Sequence, residues 1–457
     1  MTDKKRWELN ETLKVFISSY KYIIPSYEHK VLSNEDFLSI WQRNQNINKQ
    51  RLECCWDEEV QALVIFLYPD SNENNMPVRG FIIKPRVNLL PEDIKFAEAF
   101  ANVFNLDISM CEDIDKTDET WRTLRLTQFL RAISRFTNFK SLSVSRWIQT
   151  MESSMFLTYE GKQVKHVIFL PYRFESTVKK LQSSYVKLIK SLTIEEALLE
   201  EKWVRTIVDG RRVALLANKK SGGSIAGFIS LSEIKKKKKH ISYIPHESLE
   251  DIQSLLEKND MAFIAAISGD IWLLLGSGLV FNRAQGMWRY LNYNHLYQIL
   301  IKHIKEPVTN ATINTALNLA FERKGALICV ITTKTPVRYI VPDTDKENQA
   351  NYILRKSLKG LDITNDSDKQ LLISASTIDG AVVLDEDGKV LDIACMIGKA
   401  NEKRMKELDI EEARIFSGAR TTAAWKASLF GLAVKVSSDG QIIIFYEGKV
   451  IWGEHWL

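Results

Sequence analysis

An acidic residue stands beside two of the smallest side chains in the last third of the chain, in the stretch Asp379-Gly380-Ala381. A carboxylate can take up a proton or hold a metal ion. The two small neighbours leave room for a ligand, and glycine lets backbone amides face it. A plain turn is the alternative interpretation, because aspartate and glycine are also common turn residues.

A second stretch, Ser417–Gly431, reads SGARTTAAWKASLFG and predicts a short helix that begins at its threonines. The unpaired N–H groups of a helix N-terminus attract anions. Thr421 or Thr422 can cap this helix or bind an oxygen, and Arg420 adds a planar donor fork suited to phosphate. Gly418 and the alanine after it leave space in front. The stretch predicts a site for a bulky anion such as a polyphosphate, with a merely well-capped helix as the alternative.

The pattern around both stretches predicts an α/β domain from about residue 296 to the C-terminus. Helical spacing over Ala311–Lys324 is followed by the apolar run Ala326–Thr332, which is typical of a buried strand. Asp-Gly in the turn between the apolar runs Leu371–Leu384 and Lys389–Ala394 predicts a hairpin. Leu432–Trp452 reads as three further strands. We therefore expect a mixed sheet with helices packed on it.

The order of these motifs resembles the diadenylate cyclase domain, whose members condense two ATP molecules into cyclic di-AMP. The family's Gly-Ala-Leu-Ile strand is similar to Gly325–Ile328, and its Asp-Gly-Ala motif is similar to Asp379–Ala381. Its Gly-Thr-Arg-His-Arg-Ala-Ala segment resembles Gly418–Ala424, and its Val-Ser-Glu-Glu strand end resembles Val436–Asp439. The resemblance covers roughly the last third of the chain. The region before it resembles, less closely, the sensor segments of some bacterial members.

The resemblance implies a mechanism for this domain. Asp379 would act on the ribose 3′-hydroxyl, which attacks the α-phosphate of an ATP held by a facing subunit. Gly380 and Ala381 would lie against the nucleotide, and Arg420 would form part of the triphosphate cradle. Ser437 would contact the adenine. Each subunit holds only half of the reaction, so the resemblance implies a homo-oligomer built from facing dimers.

The cofactor that the resemblance implies is Mg²⁺ or Mn²⁺, which would neutralise the phosphates. Asp379 and Asp439 stand at the positions where the family binds metal. Ile378, in contrast, replaces a metal-binding histidine that many members carry just before the Asp-Gly-Ala motif.

The phosphate cradle also departs from the family pattern. Thr421 and Thr422 replace a histidine and a second arginine, so two cationic groups are lost. Charge-assisted hydrogen bonds are about twice as strong as neutral ones. Lys426, one turn into the predicted helix, could compensate in part, with a solvent-facing lysine as the favoured alternative. Two functions stay open: a diadenylate cyclase, or a degenerate nucleotide-binding signalling module that holds ATP or cyclic di-AMP.

Composition and cysteine usage indicate an ordinary globular protein of the cytoplasm. The 457 residues are 45% hydrophobic and 26% charged, and 62 basic against 57 acidic side chains give a net charge of +5. This excess is too small to imply a nucleic-acid partner. The five scattered cysteines favour reduced thiols. No signal peptide is indicated, and Asp270 and three glycines interrupt the most apolar stretch, Met261–Phe281, so we expect no membrane segment.

Two further domains are predicted ahead of the α/β domain at 296–457: an α+β region over 1–150 and a β-rich region over 151–295. We interpret both as a sensor whose ligand the sequence does not name. In the β-rich region, Met155–Tyr159 and Gln163–Leu170 predict a hairpin, an amphipathic helical region follows through Leu199, and 261–281 predicts a meander.

One low-complexity run, Lys235–Lys239 followed by His240, interrupts the β-rich region. Lysines in such a run can release counterions from nucleic acid, which would make the protein a basic scaffold. No aromatic residues are interleaved with them. A solvated loop is the favoured interpretation.

Overall fold

The structure is a computed structural model, and it confirms a mixed α/β chain. The described residues are 14, 16–17, 27–45, 54–67, 79–85, 88–110, 119–137, 144–159, 162–163, 165–209, 212–219, 223–231, 243–266, 268–332, 337–342 and 351–453. The lysine run Lys235–Lys239 and His240 lie outside them.

The chain divides into two compact units. The N-terminal unit comprises Met1–Lys239 and Asp251–Asn292, and the C-terminal unit comprises His240–Glu250 and Tyr293–Leu457. The predicted division of the first 295 residues near residue 150 stays a prediction.

A four-stranded antiparallel sheet with a helix on each face lies at the start of the N-terminal unit. Its order is β1 (Tyr27–Val31), β4 (Arg79–Pro85), β3 (Ala62–Leu67) and β2 (Cys54–Asp57). Phe37 and Trp41 of α1 (Asn34–Gln45) share a buried cluster with Val64 and Phe66 of the sheet. Helix α2 (Pro91–Met110) covers the opposite face and begins at a proline followed by two acids.

An eight-stranded sheet is the second sheet of this unit. Its strands are β7 (His166–Leu170), β8 (Tyr185–Leu192), β9 (Val213–Asn218), β10 (Ser224–Ser230), β11 (Met261–Ala265), β12 (Ile271–Leu275), β13 (Val280–Ala284) and β14 (Met287–Leu291), in the order β14-β13-β12-β11-β7-β9-β10-β8. All neighbours are antiparallel except β7 and β9. The predicted meander over 261–281 is confirmed.

Short elements complete the N-terminal unit: β5 (Thr158–Tyr159) paired with β6 (Lys162–Gln163), and helices α3 (Glu119–Phe136), α4 (Val144–Met155), α5 (Phe174–Lys180), α6 (Lys202–Ile207) and α7 (Glu250–Leu255), the last of which starts at the unit boundary. Trp147 of α4 packs on Phe263 of the large sheet, with ring centroids 5.1 Å apart. Buried side chains of both sheets and of α2, α3, α4 and α6 form one core.

Two predicted elements of the β-rich region are confirmed only in part. The segment through Leu199 is only partly helical, because β8 (Tyr185–Leu192) is an edge strand paired with β10. Its exposed Val186 and Ile189 recur at a helix-like spacing of three, which hides the strand. The predicted hairpin is present but shorter: Met155 ends α4, and only Thr158–Tyr159 (β5) forms the first strand, paired with Lys162–Gln163 (β6).

The C-terminal unit is built on a six-stranded mixed sheet of order β17-β16-β15-β18-β19-β20. Its elements are α8 (Tyr293–Leu300), α9 (Glu306–Phe321), β15 (Ala326–Ile331), α10 (Tyr352–Leu358), α11 (Asp366–Ala375), β16 (Ala381–Leu384), β17 (Val390–Cys395), α12 (Glu402–Glu407), α13 (Ala419–Ser428), β18 (Gly431–Val436), β19 (Ile442–Tyr446) and β20 (Lys449–Trp452). The predicted hairpin and the final meander are confirmed. The start of the run Leu371–Leu384 is helix, however, because α11 extends to Ala375; Asn365 caps this helix by accepting a hydrogen bond from Ser367 N.

Helix α13 covers one face of this sheet. Trp425 is fully buried and shares a core cluster with Leu327 of β15, Ala433 of β18 and Phe445 of β19. Its indole N–H donates to Gly448 O over 2.8 Å, which ties the helix to the last turn of the meander. The helix is therefore held at a fixed position over the strands that carry the predicted site.

Candidate anion site at one edge of the C-terminal sheet

The predicted site segments meet at one edge of the six-stranded sheet. β15 and β16 are parallel with Ile328 opposite Val382, which sets the start of β15 level with Gly380. β18 is antiparallel to β15 with Val436 opposite Ala326, so β18 ends at the same edge. Asp379 and Ser437 therefore flank β15 on opposite sides, about 10 Å apart by the ~4.8 Å spacing of neighbouring strands.

Gly380 lets β16 start in close contact with β17. Its φ is +119°, and a Cβ there would lie 2.5 Å from Ala394 C and 2.7 Å from Cys395 N. The exposed carboxylate of Asp379 accepts a hydrogen bond from Gly380 N over 3.1 Å. Ala381 points into the core and is 1% exposed, so its side chain is not available to a ligand. The stretch presents one accessible carboxylate.

The N-terminus of α13 lies at this same edge. The helix starts at Ala419 with Gly418 as N-cap, and no side chain caps it. After the helix the chain enters β18 at Gly431, opposite Ile331 at the far end of β15. The helix thus runs alongside β15, and its positively polarised end faces the edge that holds Asp379.

Arg420 anchors this helix end against β15. A Cβ on Gly325 would lie 3.2 Å from the Cζ atom of Arg420 and 3.5 Å from Ser438 N. The guanidinium therefore lies directly over Gly325, between the start of β15 and the turn that follows β18. Only a residue without a side chain leaves this space open to it.

The two threonines hold the loop in front of the helix. Thr422 Oγ1 accepts from Phe416 N over 3.0 Å and donates to Phe416 O over 3.3 Å. Thr421 is 7% exposed, and a Cβ on Gly418 would lie 3.1 Å from its Oγ1. The hydroxyl of Thr422 is thus engaged with the backbone, and Thr421 is a buried residue. Both side chains are neutral, so neither replaces a cation at the site.

The turn after β18 carries a charged cluster that the sequence motifs only partly reveal. Lys435 Nζ donates to Ser437 Oγ. Burial lowers the pKa of Lys435, the neighbouring Asp439 carboxylate opposes this shift, and the nearby Arg420 adds to it. Asp439 Oδ1 is buried without a hydrogen-bond partner among the described residues. Residues two apart in a strand lie on the same face, so the sequence could have predicted that Lys435 and Ser437 are neighbours. No family motif includes Lys435.

A nucleotide-bound Mg²⁺ or Mn²⁺ needs only one or two protein carboxylates, because the phosphates supply the other oxygens. The exposed carboxylate of Asp379 fits this requirement. Asp439 fits it less well, because its carboxylate already interacts electrostatically with Lys435. Among the described residues, no group of three or more His, Cys, Asp or Glu side chains could hold a metal by itself.

No family model matches the chain, and no curated protein is significantly similar to it. Within the part of the chain that the structure describes, no helix has the length and apolar content that a membrane crossing requires.

Proposed function

We propose that the C-terminal unit binds ATP at this edge and acts as a diadenylate cyclase under the control of the N-terminal unit. The observation that carries the proposal is the position of Arg420, which lies over Gly325 at the uncapped start of α13. A guanidinium beside free helix N–H groups suits a polyphosphate, since both offer hydrogen-bond donors to its oxygens. The exposed carboxylate of Asp379 lies one strand away.

In the proposed reaction, Asp379 takes the proton from the ribose 3′-hydroxyl of its own ATP. The 3′-oxygen then bonds to the α-phosphorus of the ATP on the facing copy, and the bond to pyrophosphate breaks. The 3′-oxygen of the facing nucleotide attacks the first α-phosphorus in the same way and closes the ring. Two ATP molecules thus give cyclic di-AMP and two pyrophosphates. Arg420 and the start of α13 orient the triphosphate and oppose its charge.

A bound Mg²⁺ or Mn²⁺ would polarise the phosphates, with Asp379 as its protein ligand. Because the carboxylate of one chain reaches only its own nucleotide, the reaction requires two copies with their Asp379 edges facing each other. ATP and a second copy of this chain are therefore the proposed partners.

A nucleotide-binding signalling module without catalysis is the second candidate. The specific observation in its favour is Thr422, whose hydroxyl is hydrogen-bonded to the backbone of Phe416. This side chain carries no charge and cannot stabilise the phosphates as a cation would. Such a module would hold ATP or cyclic di-AMP and transmit its state to a partner.

The test is incubation of the purified full chain with ATP and Mg²⁺ or Mn²⁺, followed by mass spectrometry for cyclic di-AMP. We expect product from the wild type, whereas Asp379→Asn should bind ATP and form none, because an amide cannot accept the proton. Asp409→Asn, a carboxylate on the loop after α12, is the matched control and should retain activity. ATP binding without product from the wild type would favour the signalling module, and absence of binding to both ATP and cyclic di-AMP would overturn both candidates.

A further inference from the structure

Lys435 is a half-buried cation on β18 that no motif of the site includes. Ala433, two residues earlier, belongs to the core cluster that contains Trp425 of α13. Because side chains alternate between the faces of a strand, Lys435 lies on the face that α13 covers. Its ammonium group donates to Ser437 Oγ at the end of the strand, which directs it toward the edge that holds the candidate site.

The charges around Lys435 do not cancel. Arg420 and Asp439 both act on it electrostatically, so two cations and one carboxylate share this corner, with a net charge of one positive unit. The buried Oδ1 atom of Asp439 has no hydrogen-bond partner among the described residues, so Lys435 makes no hydrogen bond to it. An ammonium has three donors, and the hydrogen bond to Ser437 uses one of them. Lys435 therefore keeps donors for an anion.

We propose that Lys435 is a second phosphate-binding cation of the site, which acts with Arg420 on the polyphosphate chain of the nucleotide, and that Ser437 orients its ammonium group. The inference rests on the proposed function and deepens it. Thr421 and Thr422 at the start of α13 are neutral. Lys435 on β18 would supply the positive charge that they do not. Ser437 then serves as a positioning residue for Lys435.

The test compares ATP and AMP binding to the full chain by calorimetry, at one fixed Mg²⁺ concentration. Lys435→Met should weaken ATP binding about tenfold or more, the usual cost of a lost charge-assisted hydrogen bond, and should affect AMP much less. Lys435→Arg should restore most of the ATP affinity. The control is Lys449→Met, which removes an exposed lysine from β20 of the same sheet and should change neither affinity.

A second comparison excludes a purely structural role. If Lys435 only neutralised Asp439, the double variant Lys435→Met/Asp439→Asn would recover wild-type ATP affinity, whereas we expect it to remain weak. Equal losses of ATP and AMP affinity, or wild-type ATP affinity in Lys435→Met, would overturn the inference and leave the proposed function intact. A wild type that does not bind ATP would overturn the proposed function itself. Should Lys435→Met fail to fold by circular dichroism, Lys435→Gln is judged by the same criteria.

Discussion

The guanidinium of Arg420, at the start of α13, lies over Gly325, which directly precedes β15. The methyl group of an alanine at position 325 would fill the space that the guanidinium occupies. The contact joins residues that are 95 positions apart in the chain, 420 minus 325. It fixes the planar donor group of the arginine beside the uncapped start of α13. This relationship leads to the first prediction.

Gly325→Ala should weaken ATP binding several-fold without a large loss of stability. The new Cβ would displace the end of the Arg420 side chain, which is long and flexible and can move at little cost. Calorimetric titration with ATP measures the binding, and urea denaturation measures the stability. Gly398→Ala is the control, because a Cβ there meets its nearest neighbours at an ordinary 3.4 Å. Unchanged ATP affinity in Gly325→Ala would show that the position of Arg420 does not matter for binding.

Gly380→Ala should destabilise the C-terminal unit by about 2–4 kcal/mol. The added Cβ would lie 2.5 Å from the backbone of Ala394, and backbone atoms of a paired strand cannot move aside. Gly360→Ala separates this clash from backbone strain, since Gly360 also has a positive φ, of +85°, but open space around its Cβ position. We expect Gly360→Ala to lose about 1 kcal/mol of stability. Urea denaturation of the two variants measures their free energies of unfolding. Equal losses of stability in Gly380→Ala and Gly360→Ala would argue against the clash.

His166 should make the N-terminal unit sensitive to acid. Its ring is fully buried with neither nitrogen hydrogen-bonded among the described residues, and burial, with a smaller effect of Arg205, lowers its pKa to about 4. Its pKa in the unfolded chain is about 6.5, so the unfolded state binds more protons between these values. The contribution to stability is complete above about pH 6.5 and is lost as the pH falls toward 4, by about 3 kcal/mol in total.

Replacement of this histidine provides the measurement. His166→Leu should remove most of that pH dependence from urea-denaturation curves recorded between pH 7 and 4. His29→Gln, a change at an exposed histidine, should leave the dependence as it is in the wild type. A His166→Leu variant that loses stability in acid as steeply as the wild type would assign the effect to other groups.

Local patterns predicted the elements of the C-terminal unit well. The hairpin at Asp385–Gly388 and the strands over Leu432–Trp452 follow from turn residues between apolar runs, because such turns leave the chain few conformations. The edge strand Tyr185–Leu192 could not be predicted in this way. Its side chains repeat at a spacing typical of a helix, and only pairing with β10 makes the segment extended.

The sequence by itself determined the chemical character of the candidate site: the carboxylate of Asp379, the guanidinium of Arg420 and a helix start without bulky side chains. Their meeting at one sheet edge was decided by the tertiary structure, because the register of β15 with β16 and β18 sets which residues lie level. The same register, with the helix packed over β18, brings Lys435 close to Arg420 and Asp439. The interaction between two charges depends on their separation in space. For charges distant in the chain, the fold sets this separation, and no local sequence pattern predicts it.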